Sequence, residues 1–257
     1  MKEFFGIGGY QRTPEGAFSW QHLLFVTLLM VIMVVLAVFL GKRNKNKLPQ
    51  RKNAILIWAA FLIDGFELLK IIIACAEDPS AWTAMLPLFL CSIQLIAIPL
   101  AAFSGGRVRE AALDFVSVFG LLGAVLGTFG ATQNYNAYPV LSFTNVVSGI
   151  THSISGFAAL YIMIAGMASM KRKNMWITFA ILLSFCVTAY VANILVDYNY
   201  MFLMSGDGTP YDILFNLVGG HKVLYPLSVV ALFLVYICLF YGIWHLVEKK
   251  KPQNAAV

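Results

Sequence analysis

The chain has few charged residues, and this scarcity excludes an ordinary soluble domain. Only 12% of its 257 residues are charged, while 60% are hydrophobic; soluble domains average about 25% charged and 45–50% apolar residues. The sequence also lacks a Ser/Pro-rich linker, a low-complexity tract and a convincing internal repeat. We therefore predict a single membrane domain over residues 1–257, with lipid as its solvent.

Paired cysteines and a cleavable leader are also missing. The four cysteines form no CxxC pair and lie in or at the edge of apolar segments, so neither a disulfide framework nor a zinc site is expected. The first twenty residues have no basic start, apolar run and small-residue cleavage site. The first apolar helix should therefore remain in the mature protein, and we predict no metal and no cofactor.

Seven apolar stretches are long enough to cross a bilayer. They cover approximately residues 21–40, 53–76, 86–104, 111–129, 143–169, 175–196 and 223–247. About 20 residues span roughly 30 Å of hydrocarbon at 1.5 Å per residue. The stretches lack the alternation of barrel strands, and a backbone in lipid must satisfy its own hydrogen bonds. We predict an all-α polytopic bundle with seven transmembrane helices.

Basic residues predict the orientation of this bundle. Fourteen of the eighteen Lys and Arg residues fall in the first, third and fifth connections and in the C-terminal tail: Lys42, Arg43, Lys45, Lys47, Arg51, Lys52, Arg107, Arg109, Lys171, Arg172, Lys173, Lys249, Lys250 and Lys251. The positive-inside rule then places the N-terminus outside and the C-terminus in the cytoplasm. The +6 charge is explained by topology, so no nucleic-acid partner is expected. We predict a multi-pass protein of the cell (plasma) membrane.

Polar side chains interrupt the apolar stretches at similar depths. Each ionisable group in hydrocarbon costs roughly 3 kcal/mol on insertion scales, so such groups usually face a protein interior or a wet cavity. Counting inward along each helix places seven polar residues in the outer half of the bilayer: His22, Asp64, Glu67, Lys70, Cys91, His152 and Asn193. The coincidence of depth predicts a shared outward-facing cavity.

The chemistry of these residues has both a functional and a structural interpretation. Cys91 follows Pro87 near a predicted helix start, where a thiolate is favoured and becomes a better nucleophile, especially beside an imidazole such as that of His152. A membrane cysteine is otherwise a small buried hydrophobe, and a single buried histidine is otherwise a hydrogen-bonding link between helices. Glu67 and Lys70 are three residues apart on one helix, so their structural interpretation is an ion pair in which each charge neutralises the other.

Two further patterns concern packing and the outer surface. Gly120, Gly123 and Gly127 recur at helical spacing, which we interpret as a close-packing stripe. The outer loop 197–222 is rich in aromatic residues and glycine. It is interpreted either as a lid over the bundle or as an aromatic belt at the interface.

Short motifs over nearly the whole chain resemble one family. The matching positions are Phe18, Ser19 and His22 (Phe-Ser-x-x-His), Glu67, residues 86–91 (Leu-Pro-Leu-His-Leu-Cys), residues 119–123 (a glycine-rich helix), His152, Asn193 and residues 199–203 (Asn-Tyr-Met-Tyr-Leu). The chain thereby resembles the YwaF-like bacterial integral membrane proteins, which are related to a vertebrate cysteine-dependent ether-phospholipid acyltransferase. Two departures are Phe89, which replaces the motif's histidine, and residues 219–222, which replace Gly-Pro-Trp-Pro-Trp-Tyr.

The resemblance implies a lipid acyltransferase with Cys91 as nucleophile and His152 as base, acting on membrane phospholipids without a soluble protein partner. The motifs make His22, Glu67, Asn193, Asn199 and Tyr200 supporting or substrate-binding residues, and the depth argument adds Asp64 and Lys70. Within this set, Asn193 or Asn199 would donate to the oxyanion, and His22 would be the source of any second imidazole.

Three alternatives remain open at the level of sequence. Water in place of an acceptor alcohol would make the same site a lipid hydrolase. A relay of Asp64, Glu67, Lys70 and His152 would indicate a transporter or proton-linked channel, although no inverted repeat is evident. The third alternative is a noncatalytic membrane scaffold, although the loops contain no recognisable motif for binding a partner protein.

Overall fold

The computed structural model describes residues 2–249, all of whose regular elements are helical. Within these residues, seven helices of ten residues or more follow one another: α1 Trp20–Asn44, α2 Pro49–Glu77, α3 Gln94–Phe103, α4 Gly106–Leu126, α5 Phe143–Ile164, α6 Arg172–Val196 and α7 Leu224–Lys249. Shorter helices are Lys2–Phe5, Trp82–Met85, Thr132–Ala137 and Asp212–Leu217, with 3₁₀ turns at Pro79–Ala81, Cys91–Ile93 and Tyr200–Phe202. The all-α class is confirmed. Lys250 and Lys251, which the orientation argument used, lie outside the described residues.

The chain divides into two compact units, Met1–Ala168 and Ser169–Val257. In the first unit, α5 packs against α1, α2 and α4, while α3 packs against α2 and α4. In the second unit α6 packs against α7, and the hydroxyls of Thr178 and Tyr241 lie 3.3 Å apart between them. The expectation of a single membrane domain stays a prediction.

In the part of the chain that the structure describes, four helices are long and apolar enough to cross a membrane: α1, α5, α6 and α7. Helix α2 is longer, but Asp64, Glu67 and Lys70 interrupt its apolar character. Helix α3 with its preceding turn, Cys91–Phe103, is a shorter apolar helix. The chain thus has the composition of a multi-pass membrane protein, and seven crossings stay a prediction.

The third apolar stretch differs most from its predicted form. A helix over 86–104 was expected, but residues 86–90 are not helical, and Leu86 is extended (φ −59°, ψ 137°). The cause is Pro87, which disfavours helical dihedrals at the residue before it. The helical turns therefore begin at Cys91 rather than at residue 86, which places the thiol in the first turn. The fifth stretch also ends early, at Ile164 rather than residue 169, near Gly166 with its positive φ of 67°.

Connections of the first unit meet at one end of the bundle. The Lys52 ammonium donates to the Ala165 carbonyl just beyond α5 (2.8 Å). The Asn53 amide donates to the Ala102 carbonyl in the last turn of α3 (2.7 Å) and accepts from Arg109 in α4 (2.9 Å). The starts of α2 and α4 and the ends of α3 and α5 therefore lie together, as antiparallel neighbouring helices require.

The N-terminal segment docks at the opposite end of the first unit. The backbone N–H of Val140 donates to the Glu15 carboxylate (2.8 Å), and that of Ala17 donates to Asn136 Oδ1 (2.8 Å). The hydroxyl of Ser19 caps α1 by accepting the N–H of His22 (3.2 Å). These bonds fix the entry of the chain into α1.

Glu15 makes this docking dependent on pH. Burial opposes the charged carboxylate, but the Val140 N–H and the Arg12 guanidinium outweigh it, so the pKa of Glu15 is lowered. A carboxyl whose folded-state pKa is depressed stabilises the fold above its unfolded pKa, and that stability is lost as the pH falls through the folded value. We expect Glu15→Gln to lower the melting temperature in detergent at pH 7, with a smaller difference near pH 4.

The matched control is Glu248→Gln, at an exposed position near the end of α7. This variant should have the wild-type melting temperature both at pH 7 and near pH 4. Equal melting temperatures of wild type and Glu15→Gln at pH 7 would show that the carboxylate contributes nothing to docking.

Candidate functional site

A small cavity in the first unit brings together residues from α2, the start of α3 and α5. Its lining consists of Ile63, Glu67, Lys70, Cys91, Ser92, Leu95, Thr151, His152 and Ser155. The cavity has a volume of about 50 Å³, which is space for a few water molecules. It therefore admits the reacting group of a substrate but not a whole lipid.

Cys91 and His152 are in contact within this cavity. The thiol and the imidazole interact electrostatically at close range, and both side chains are half-buried. Nδ1 of His152 lies 2.7 Å from the carbonyl oxygen of Ser148, one turn earlier in α5. Because a carbonyl only accepts, Nδ1 carries the proton and Nε2 is left with a lone pair for the thiol. This is the tautomer that a general base needs.

The glycines of α4 form the wall behind this pair. A Cβ at Gly127 would overlap the imidazole of His152, whereas a Cβ at Gly123 would lie 3.9 Å from that of Cys91, an ordinary contact. At Gly120 a Cβ would lie 2.7 Å from the carbonyl oxygen of Ser155. The stripe interpreted from sequence as helix packing therefore also makes room for the imidazole.

Glu67 and Lys70 form an ion pair at the cavity. The Lys70 ammonium lies 2.7 Å from the Glu67 carboxylate, as their three-residue spacing on α2 indicated. The charge of Lys70 acts on both Cys91 and His152. Asp64 lies one turn earlier, where it experiences the charge of Glu67, and its Oδ1 is buried without a hydrogen-bond partner among the described residues.

His22 lies outside the cavity lining, and its use as a second imidazole near the thiol stays a prediction. It is fully buried, and its ring stacks on Tyr135 with centroids 3.8 Å apart. The N–H of Phe18 donates to its Nδ1 (2.9 Å), and its Nε2 donates to the carbonyl of Thr128 (3.1 Å). Both nitrogens are thus occupied by backbone groups, and the ring ties the start of α1 to the residues after α4.

Asn193, Asn199 and Tyr200 belong to the second unit, where they order the outer loop. The Asn193 amide donates to the carbonyl of Tyr200 (3.1 Å) and accepts its N–H (2.6 Å). The Asn199 amide donates to the carbonyl of Ser205 (2.8 Å) and accepts the N–H of Met204 (2.9 Å). Tyr200 is fully buried. Both amides are engaged with the backbone, and a substrate role for the three residues stays a prediction.

An apolar groove runs along the other side of α2 and α5, against α1. It has a volume of about 490 Å³, and its lining includes Met33, Ala59, Leu62, Ser153 and Phe157. Leu62 and Ser153 are sequence neighbours of the cavity residues Ile63 and His152. The groove is therefore separated from the cavity by the width of the two helices they share.

Sequence reasoning missed the part that Ser148 and Gly127 play in holding the imidazole. Ser148 acts through its backbone carbonyl, so its side-chain identity gave no signal. Gly127 was visible as part of a stripe, but its contact with the imidazole was not. Within residues 2–249, no group of three His, Cys, Asp or Glu side chains is arranged to hold a metal ion.

Residues 17–247 match the TMEM164 family over helices α1 to α6 and nearly all of α7. The chain belongs to the TMEM164 family. The matched region contains every residue that lines the cavity of this TMEM164-family protein. No curated protein and no solved structure matches the chain. The YwaF-like name suggested by the motifs stays a prediction.

Proposed function

We propose that this TMEM164-family protein is a lipid acyltransferase that forms a thioester on Cys91. The observation that supports the proposal is the contact between thiol and imidazole in a cavity, with the imidazole held in the basic tautomer by the Ser148 carbonyl. The family adds to this support, since vertebrate TMEM164 is an ether-lipid acyltransferase.

The reaction begins with proton transfer from the Cys91 thiol to Nε2 of His152. The thiolate sulfur then bonds to the ester carbonyl carbon of a donor phospholipid, and the carbonyl π pair moves to oxygen. Collapse of this intermediate breaks the ester C–O bond, and the departing lysolipid alkoxide takes the proton from His152. In the second half His152 deprotonates an acceptor hydroxyl, which attacks the thioester and releases the thiolate.

The ion pair of α2 is proposed to support this chemistry. A cation near a thiol favours the thiolate, and Lys70 acts on Cys91 from across the cavity. Its partner Glu67 limits the repulsion between Lys70 and the imidazolium that forms on His152. Lys70 is also a donor for the phosphate of a lipid headgroup.

The lipid enters from the membrane in this proposal. Since the cavity accommodates only a carbonyl-sized group, the rest of the donor must extend beyond it. With the N-terminus outside and seven crossings, Cys91 faces the outer leaflet of the cell membrane, and the basic connections that meet at the opposite end of the first unit lie in the cytoplasm.

The test is an acyl-transfer assay with purified protein in liposomes. The donor is phosphatidylcholine labelled in its acyl chain, offered with and without an ether lysophospholipid as acceptor. The proposal expects labelled ether diradyl phospholipid that depends on the acceptor. Labelled free fatty acid alone would indicate a hydrolase, in which water enters the same site. No acyl product, together with an ion flux that survives Cys91→Ala and vanishes in Glu67→Ala, would contradict the proposal in favour of a transporter.

A further inference from the structure

Gln94 is a fully buried glutamine whose amide has no partner. Its side chain is 0% exposed, and neither Nε2 nor Oε1 makes a hydrogen bond among the described residues. Buried polar groups are nearly always hydrogen-bonded, because leaving one unpaired destabilises the fold. An apolar residue of similar size would fill this position at lower cost. The amide therefore calls for a functional explanation.

The position of Gln94 relative to the thiol supplies one. Gln94 directly follows the 3₁₀ turn Cys91–Ile93, and its backbone N–H donates to the carbonyls of Cys91 and Ser92. In a 3₁₀ turn, residues three apart eclipse one another and lie about 6 Å apart along the axis. The Gln94 side chain therefore leaves the helix on the same side as the thiol, one turn deeper.

A helical spacing of about 100° per residue places Cys91 between Gln94 on one side and Ser92 and Leu95 on the other. Ser92 and Leu95 line the cavity together with Cys91, whereas Gln94 is not part of that lining. An ester carbonyl attacked by the sulfur from the cavity would present its oxygen on the Gln94 side of Cys91, and the amide, which is sealed from the cavity before substrate binds, would turn to meet it. The other amides considered for this task, those of Asn193 and Asn199, are engaged with backbone groups.

We infer that the Gln94 carboxamide is the oxyanion donor of this site, an inference that rests on the proposed acyltransferase function. As the Cys91 sulfur bonds to the carbonyl carbon, the π pair moves to oxygen, and Nε2–H of Gln94 donates a hydrogen bond to that oxygen without transferring its proton. When the ester C–O bond breaks, the pair returns and the leaving alkoxide takes its proton from His152. A donor that is unpaired beforehand and paired in the transition state lowers the barrier rather than only binding substrate.

The decisive variant is Gln94→Met, which keeps the length of the side chain and removes the donor. Loss of one oxyanion donor reduces turnover by roughly 10²–10³-fold. We expect this loss in the rate at which labelled phosphatidylcholine acylates Cys91, together with a melting temperature equal to or above that of wild type. The rate of Cys91 alkylation by a small thiol reagent should not change. Gln94→Asn keeps a shorter amide and should recover part of the acylation rate.

The possible results distinguish a failure of the Gln94 inference from a failure of the acyltransferase proposal. If wild type acylates Cys91 and Gln94→Met does so at the same rate, Gln94 is not a donor and the acyltransferase proposal stands. If Gln94→Met melts lower and its thiol alkylates at a different rate, the role is structural and the inference is wrong. If wild type forms no acyl-Cys91, both are overturned.

Discussion

Cys91→Ala is expected to abolish acyl transfer, with a fall of at least about 10³-fold in turnover. The nucleophile divides the reaction into two steps, and no other thiol lines the cavity within the described residues. Initial rates of labelled product formation in liposomes measure the effect. Cys75→Ala is the matched control, since Cys75 also lies in the first unit but outside the cavity lining, and it should retain wild-type turnover.

His152→Ala should also be severely impaired, but in a different way. General acid–base assistance contributes about 10²–10⁴-fold, and without it the Cys91 thiol must lose its proton to solvent. The residual rate should therefore rise as the pH is raised towards 9, whereas Cys91→Ala should show no such recovery. Full turnover by either variant at pH 7 would remove its residue from the mechanism.

Gly127→Ala should lower turnover by about 10²-fold, with little loss of folded protein. An added methyl group would overlap the imidazole of His152, so the ring must leave the position in which it meets the thiol. Displacement of a catalytic group by about 1 Å is enough for a loss of this size. The rate of acyl transfer and the rate of Cys91 alkylation should fall together, because both depend on the thiolate that His152 generates.

Gly123→Ala is the control on the same helix face. Its methyl group would lie 3.9 Å from Cβ of Cys91, which is ordinary van der Waals contact, so turnover should stay within about twofold of wild type. Equal losses in the two variants would show that the effect comes from helix packing rather than from the imidazole.

The helices were predictable because lipid imposes a length and a composition on any segment that crosses it. What the apolar pattern did not indicate was the break at Pro87, where hydropathy continues but the backbone is not helical. The hydropathy pattern reflects side-chain polarity alone, whereas the start of α3 is set by the backbone restriction that Pro87 imposes on the residue before it. The consequence is functional, since it is this break that places Cys91 in the first turn of its helix.

The depth of polar residues along their helices grouped four residues that share the cavity with one, His22, that does not line it. It correctly grouped Cys91, His152, Glu67 and Lys70, which all line one cavity. It also included His22, whose ring is held by backbone groups outside that cavity. Distance along a helix says nothing about the direction in which a side chain leaves the axis, and that direction is fixed by packing. The same limit concealed the contact of Gly127 with the imidazole.

The central claim is a covalent bond between an acyl group and Cys91, and mass spectrometry tests it directly. Protein incubated with labelled phosphatidylcholine and no acceptor should gain the mass of one acyl chain, located on the peptide that contains Cys91 and released by hydroxylamine. Adding an ether lysophospholipid should remove the adduct and yield labelled product, and Cys91→Ala should never carry it. Continued turnover with no acyl adduct on Cys91, even after rapid acid quenching, would contradict the account.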